Sequence, residues 1–336
     1  MLVRDRAIRP LPRLAVPLVL PLTLPALLLG TAAACGDSSS AKDTAATPAL
    51  TKAEAAKVID AYGAAANKAA ATLDAKALAA VETGPQLAMD TAQFKLRKAI
   101  GQRTATVAKF TKPAFYIPRM DGHPRWFAAD VTTETGKDSL RHALLFTQAK
   151  PGGPWLLAAD PYLSEAAFAK VALDKEGYAT PVRPDDNAPA LQPAKVPDAH
   201  AALLTGGPQA PGAAGLAAGP TTTQAYDALR QAQRQLKPGG VTLTSSFTAE
   251  PGPVRALRTT DGGALVWYVV RQNEAYSSRK KGKLAVTGDL VGLAPPASAR
   301  KRLDTTVLVQ YLAAVPREGQ TTVTGMYRKA VQAAGS

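Results

Sequence analysis

Cysteine, histidine and aromatic residues are scarce in this 336-residue chain, and each shortage excludes a class of protein. A single cysteine cannot form an intramolecular disulfide framework or a cysteine-rich zinc site, and three scattered histidines argue against a histidine metal cluster. The sequence also lacks a Gly-x-Ser-x-Gly elbow, a phosphate-binding Gly-Lys-Ser/Thr loop and a dinucleotide fingerprint. We therefore expect no cofactor, no bound metal and no catalytic activity.

Apolar residues and basic charge are well represented. The hydrophobic share of 46% is enough for a folded core, and 40 Lys and Arg against 26 Asp and Glu give a formal net charge of +14. At 336 residues the chain has room for one large domain or two ordinary ones.

The first 34 residues have the layout of a secretory signal peptide. An uncharged apolar stretch at residues 14–29 follows a basic segment that contains Arg4, Arg6, Arg9 and Arg13. Three prolines interrupt the apolar stretch at every fourth position, and each costs about 3 kcal/mol in a helix interior. This spacing favours a transient export signal over a permanent membrane helix.

The end of this segment, Ala32-Ala33-Ala34-Cys35 followed by Gly36, resembles the lipobox of bacterial lipoproteins. In that family the cysteine receives a diacylglyceryl group, carrying fatty acids such as palmitate, and the signal is cleaved before it. The resemblance implies that Cys35 is lipidated and holds the chain on the outer face of the cell membrane. Ordinary signal cleavage after Ala34 is the alternative, and it would leave Cys35 as a free thiol. The composition and lipobox together resemble the uncharacterised envelope lipoproteins of high-GC Gram-positive bacteria.

Two stretches about 140 residues apart share one order of features, which predicts a duplicated fold. Asp121-Gly122 leads into the aromatic pair Trp126-Phe127, and Asp261-Gly262 leads into Trp267-Tyr268. In both copies a further strand-like segment, a Pro/Gly turn and a closing strand follow. The Asp-Gly pairs are typical of tight turns.

Helix signals precede both sets of strands. Thr51-Lys-Ala-Glu54 is a capping box, and a second helix is predicted at residues 85–100. In the second copy, residues 198–204 and 223–236 take these places, and residues 164–173 also indicate a short helix. The predicted class is α+β, with two tandem modules of helices followed by an antiparallel sheet. The element order is similar to that of cystatin-like and nuclear-transport-factor-2-like folds.

The predicted organisation has five parts. They are a signal peptide at 1–34, a flexible tether at 35–48, a first module at 49–180, a Pro-rich linker at 181–196 and a second module at 197–336.

Isolated polar and aromatic residues have structural explanations. His142 and His200 have no ligand partner at metal spacing, and we expect both at the surface or part-buried. The three tryptophans fit core packing, with a sugar-stacking platform as the alternative. A cavity lined by Asp121, His123 or Tyr116 would instead indicate a small-molecule-binding protein or a hydrolytic enzyme.

Two basic clusters are the strongest functional signal outside the signal peptide. They consist of Arg279, Lys280, Lys281 and Lys283, and of Arg300, Lys301 and Arg302. The segment between them, residues 284–291, is predicted to be a strand. If the clusters meet, they form one patch for anionic lipid headgroups or a polyanionic wall polymer; a solvated loop is the alternative. Export removes nucleic acid as a partner. The sequence thus predicts a lipid-anchored envelope protein with a non-catalytic binding or scaffolding role.

Overall fold

The computed structural model describes residues 46–102, 109–135, 138–164, 167–282, 284–295 and 299–336. They belong to one compact unit, Ala45–Ser336. The signal peptide, Cys35, most of the tether and Lys283 lie outside the described residues. Within these ranges, no helix combines the length and the apolar character that a membrane span needs.

The first half of the fold has three helices followed by five strands. In chain order they are α1 (Lys52–Thr72), α2 (Ala75–Leu78), α3 (Gly84–Ala99), β1 (Phe110–Tyr116), β2 (Arg125–Thr135), β3 (Asp138–Gln148), β4 (Leu156–Ala159) and β5 (Tyr162–Leu163). The predicted capping box starts α1: the Glu54 N–H donates to Thr51 Oγ1 at 3.2 Å, and the Thr51 N–H donates to the Glu54 carboxylate at 2.7 Å. Pro85 lies in the first turn of α3, where a missing N–H needs no partner.

The second half repeats the order of helices first and strands after. Its main elements are α4 (Val196–Gly206), α5 (Thr223–Leu236), β6 (Val241–Ala249), β7 (Arg255–Arg258), β8 (Ala264–Ser278), β9 (Arg302–Val315) and β10 (Thr322–Gly335). The positions predicted for both helices are confirmed.

One predicted helix is shorter than expected, and one predicted strand is wrong. Residues 164–173 contain only a 3-10 turn at Ala167–Lys170 in their described part, because Val171 pairs with Thr259 in an extended bridge. Residues 284–291 form no strand in their described part and instead include a 3-10 turn at Gly288–Leu290. Gly288 lies at φ +59°, which an extended strand does not accommodate.

All ten strands form one antiparallel sheet in the order β1-β2-β3-β5-β10-β9-β8-β6, with β4 paired to β3 and β7 paired to β8. The sheet has two halves, which we call half-sheets: one contains β1–β5 and the other β6–β10. In each half-sheet the strands run in chain order from the outer edge inward, and the two halves meet where β5 pairs with β10. The class is α+β, with helices followed by a large antiparallel sheet. Because both predicted modules contribute to this sheet, their division remains a prediction.

Each half-sheet packs one face against a helix, α1 in the first half and α4 in the second, and its other face against the other half-sheet. Phe127 on β2 packs beneath α1, and Tyr268 on β8 belongs to the cluster that includes residues of α4. Trp126 precedes Phe127 and Trp267 precedes Tyr268, so each tryptophan points to the sheet face away from the helix. The two tryptophans belong to one shared cluster, which we call the central core. Its other large members are Leu145, Phe168, Leu257, Leu265 and Leu312.

Both edge strands have interrupted or capped backbones. In β1, Lys112 has φ +53°, Pro113 follows it, and the pairing with β2 shifts register between Thr111 and Ala114. In β6, the Phe247 N–H donates to Thr205 Oγ1 of α4 at 2.8 Å.

Candidate functional site

The Asp261-Gly262 pair forms the predicted turn, closed by the Gly262 N–H donating to the Thr259 carbonyl at 3.0 Å, whereas Asp121-Gly122 lies at a bend. Gly122 and Gly262 have φ values of +66° and +82°, and Asp261 Oδ1 accepts the Gly263 N–H at 3.0 Å. Tyr116, at the end of β1, stacks on Phe168 with ring centroids 4.5 Å apart. Asp121 is exposed, and His123 Nε2 lies 3.1 Å from Gln148 Oε1. Asp121, His123 and Tyr116 are not among the described residues that line the apolar cavity between the half-sheets.

A cavity of about 220 Å³ lies between the two half-sheets, and we call it the central cavity. The start of α3 and strands β2, β3 and β4 line one side, and the 250–254 loop, β7 and β8 line the other. Trp126, Leu145 and Ala159 face Val254 and Trp267 across it. Mostly apolar walls with a few polar groups are typical of small-molecule sites.

Hydrogen bonds within the protein hold the aromatic wall of the central cavity. The Trp126 and Trp267 rings meet edge-on, and Trp267 Nε1 donates to the Ala143 carbonyl at 3.2 Å. Burial lowers the pKa of His200 to about 4, so its imidazole is neutral at pH 7. Its Nε2 lies 2.9 Å from the Thr221 carbonyl, which can only accept, so Nδ1 accepts the Tyr268 hydroxyl at 2.9 Å. The polar atoms of Trp267 and Tyr268 are thus already engaged.

Two charged residues of opposite sign lie in the wall of the central cavity. Glu250 is held by Arg271 through two hydrogen bonds of 2.6 Å. The Arg255 guanidinium carbon lies 6.0 Å from the Trp126 ring centroid, and burial lowers the pKa of Arg255. Among the residues that the structure describes, no carboxylate lies within ion-pair distance of Arg255. The cavity wall therefore carries one unneutralised positive charge.

A second polar arrangement, which we call the junction network, lies where the two half-sheets join. Gln310 Nε2 of β9 donates to Gln86 Oε1 of α3 at 3.0 Å, and Gln310 Oε1 accepts the Asp160 N–H at 2.7 Å. Gln86 Nε2 in turn donates to Asp90 at 2.8 Å. The network therefore connects both halves of the fold.

The junction network contains a pair of acids that share a proton. Glu82 is 2% exposed and accepts the Tyr62 hydroxyl at 3.1 Å, while its Oε2 has no donor among the described residues. Burial, together with the Asp90 carboxyl beside it, raises the pKa of Glu82 to about 9. Burial raises the pKa of Asp90 to about 6. At neutral pH, Glu82 is therefore the protonated member of the pair, with its acid group beside the Asp90 carboxyl.

His142 lies at the other end of the junction network and is only 6% exposed, so the expectation of a surface or part-buried position is wrong. Both ring nitrogens have partners: Nδ1 lies 2.9 Å from Asp160 Oδ1, and Nε2 lies 2.7 Å from Thr133 Oγ1. Hydroxyl, imidazole and carboxylate follow one another in the order used by hydrolytic triads. Thr133 is only 7% exposed, so its hydroxyl is covered from solvent.

His200 is fully buried, again against the expectation, because Tyr268 and Thr221 satisfy its ring.

The two predicted basic clusters meet at one end of β8 and β9. The Ser278 N–H donates to the Lys301 carbonyl at 2.7 Å, and the Gly282 N–H donates to the Arg300 carbonyl at 2.7 Å. Arg302 pairs with Asp304 through two bonds of 2.7 Å. The described members of both clusters are exposed, namely Arg279, Lys280, Lys281, Arg300, Lys301 and Arg302.

No sequence signal identified the central cavity or the junction network, because their residues come from distant elements. In the described ranges, no group of three or more His, Cys, Asp or Glu side chains is arranged to hold a metal ion.

Comparison with known proteins places the chain among bacterial lipoproteins. An uncharacterized lipoprotein of Streptomyces avermitilis is 32% identical over 254 residues, which is 71% of either chain. Two uncharacterized lipoproteins of Streptomyces coelicolor are 29% and 32% identical, over 83% and 66% of this chain and 84% and 64% of their own lengths. No solved structure matches the chain at comparable significance. A family model described as a domain of unknown function, DUF8094, matches residues 46–335, and the chain therefore belongs to that family.

Proposed function

We propose that this protein is an exported lipoprotein, held on the outer face of the cell membrane by a lipid on Cys35, that binds a small apolar ligand without transforming it. The central cavity is the observation that carries the binding role. A space of about 220 Å³ with two tryptophans in its wall is suited to a single-ring or short-chain molecule.

The anchor is supported by two independent observations. The relatives in Streptomyces are named lipoproteins, and the lone cysteine of this chain lies where a lipobox requires it. The family match begins at residue 46, so residues 36–45 lie between the lipidation site and the matched domain. A tether of this kind holds the folded part away from the bilayer.

A duplicated origin explains the shape of the binding site. The strand order is mirrored about the β5–β10 junction, and the paired tryptophans occupy corresponding positions after corresponding Asp-Gly pairs. In this proposal each module is a helix packed on an antiparallel half-sheet, as in cystatin-like and nuclear-transport-factor-2-like folds. The cavity is then the space between two sibling modules.

Intrinsic fluorescence tests the binding role, because the three tryptophans occupy different environments. Trp126 and Trp267 line the central cavity, whereas Trp155 packs edge-on against Phe127 beneath α1. A neutral probe, phenylbutyramide, should change the fluorescence of the mature protein and of Trp155→Phe. The change should be smaller in Trp126→Phe. Ala158→Phe, which places a ring in the cavity, should abolish it. An unchanged signal in the wild type at millimolar probe would overturn the proposal.

A second candidate function is binding of anionic lipid headgroups or wall polymers. The backbone hydrogen bonds that join residues 278–282 to residues 300–301 support it, because they bring the two basic clusters into one exposed patch. Titration with anionic vesicles tests this candidate.

A further inference from the structure

We propose that the ligand of the central cavity is an apolar carboxylate whose anionic group binds the Arg255 guanidinium. This inference rests on the proposed binding function and adds the chemical class of the ligand.

Charge balance in the cavity wall is the first step. The carboxylate of Glu250 is already taken by Arg271 at 2.6 Å, so it does not neutralise Arg255. Within the described part of the chain, Arg255 forms no ion pair, and its guanidinium lies over the Trp126 ring. Arg255 is partly buried in the cavity wall, and a partly buried cation without a counter-ion is destabilised, which a bound anion relieves.

The second step is the choice of donor. A ligand carboxylate needs N–H or O–H groups, but Trp267 Nε1 donates to Ala143 and the Tyr268 hydroxyl donates to His200. The guanidinium of Arg255 remains available, and its planar fork suits a carboxylate in a bidentate arrangement. A charge-assisted pair of this kind gives both orientation and affinity.

The third step is size and position. An apolar cavity of about 150 Å³ holds benzene, so the central cavity, at about 220 Å³, has room for one ring with a short chain. Arg255 on β7 lies directly opposite Trp267 on β8, with its guanidinium over Trp126. An apolar group placed against the two indoles therefore has its carboxylate next to Arg255.

Calorimetric titration with a matched pair of probes, phenylbutyrate and phenylbutyramide, tests the inference. We expect the wild-type mature protein to bind the carboxylate at least about tenfold more tightly than the amide, and raised salt to weaken only the carboxylate. Arg255→Met should remove the preference, so that this variant binds the carboxylate no more tightly than it binds the amide. Arg183→Met removes an exposed arginine elsewhere and should behave as wild type. Arg255→Lys keeps the charge and should retain part of the preference.

The outcomes separate this inference from the proposed function. If the wild type binds both probes equally and independently of salt, the carboxylate assignment is wrong while the cavity remains a binding site. If neither probe binds at millimolar concentration, both the binding function and the ligand class fail. Should Arg255→Met not fold, the wild-type preference, its salt dependence and Arg255→Lys still decide the question.

Discussion

The indole rings of Trp126 and Trp267 meet edge-on across the central core, with centroids 6.4 Å apart. They occupy corresponding strands of the two half-sheets, β2 and β8, so corresponding positions of the two halves contact each other. The contact places one large side chain from each half at the interface between them. Both rings also line the central cavity, so we expect this pair to matter for stability and, under the proposed function, for ligand binding.

Removing a central tryptophan should destabilise the whole fold. Trp267 is 2% exposed and donates a hydrogen bond to Ala143, so Trp267→Ala should lower the free energy of unfolding by about 3–5 kcal/mol. Trp155 is only partly buried, and Trp155→Ala should cost less. Guanidinium denaturation followed by circular dichroism measures both. Equal losses for the two variants would contradict the proposed importance of the central core.

Stability should fall as pH rises above neutral because of the Glu82–Asp90 pair. Glu82 releases its proton near pH 4.5 in an unfolded chain but at about 9 in the folded protein, so folding takes up a proton between these values. Uptake of one proton on folding means that each unit of pH rise in this range lowers the free energy of unfolding by about 1.4 kcal/mol. Asp90, with a pKa of about 6, adds to this slope only at more acidic pH.

Glu82→Gln isolates this effect, since glutamine mimics the protonated acid. Its amide can donate to Asp90 and accept from Tyr62, so the variant should show a flatter pH dependence and greater stability at about pH 8.5. Asp60→Asn, on the exposed side of α1, is the control and should keep the wild-type slope. Urea denaturation across neutral to mildly alkaline pH provides the measurement. A Glu82→Gln slope identical to wild type would refute the shared proton.

The basic patch should govern retention on anionic surfaces. Changing Arg279, Lys280, Lys281 and Lys283 to Gln should reduce binding to phosphatidylglycerol vesicles by at least about tenfold, because each cation near a membrane contributes about 1 kcal/mol. The control removes equal charge from exposed positions elsewhere, namely Lys98, Lys150, Lys175 and Arg183. Equal losses in both variants, measured by vesicle sedimentation, would show general attraction by net charge and no specific patch.

Membrane attachment should depend on Cys35. In the native host, intact-mass analysis of the membrane fraction should find a mature chain that starts at a diacylated Cys35, and Cys35→Ser should lose that modification and the attachment. Ser38→Ala, three residues into the tether, should leave both unchanged. A soluble wild-type chain with an unmodified thiol would indicate ordinary signal cleavage.

Local signals in the sequence predicted local structure well. The capping box at Thr51 and Glu54 and the Asp-Gly turn at Asp261 act over two or three residues, and all three residues make the expected hydrogen bonds. By contrast, Gln86 and Gln310 meet across 224 positions, and Arg255 lies over Trp126, which is more than a hundred positions away in the chain. Such contacts depend on how the half-sheets join at β5 and β10, and no short motif encodes that junction.

The interrupted and capped backbones of the two edge strands affect how readily copies of this protein would aggregate. Open strand edges invite neighbouring molecules to add on and aggregate. Here Lys112 and Pro113 interrupt the outward-facing N–H and C=O groups of β1. In β6, the Phe247 N–H, which faces away from β8, already donates to Thr205 Oγ1. Many copies concentrated on one surface would therefore resist joining edge to edge into fibrils.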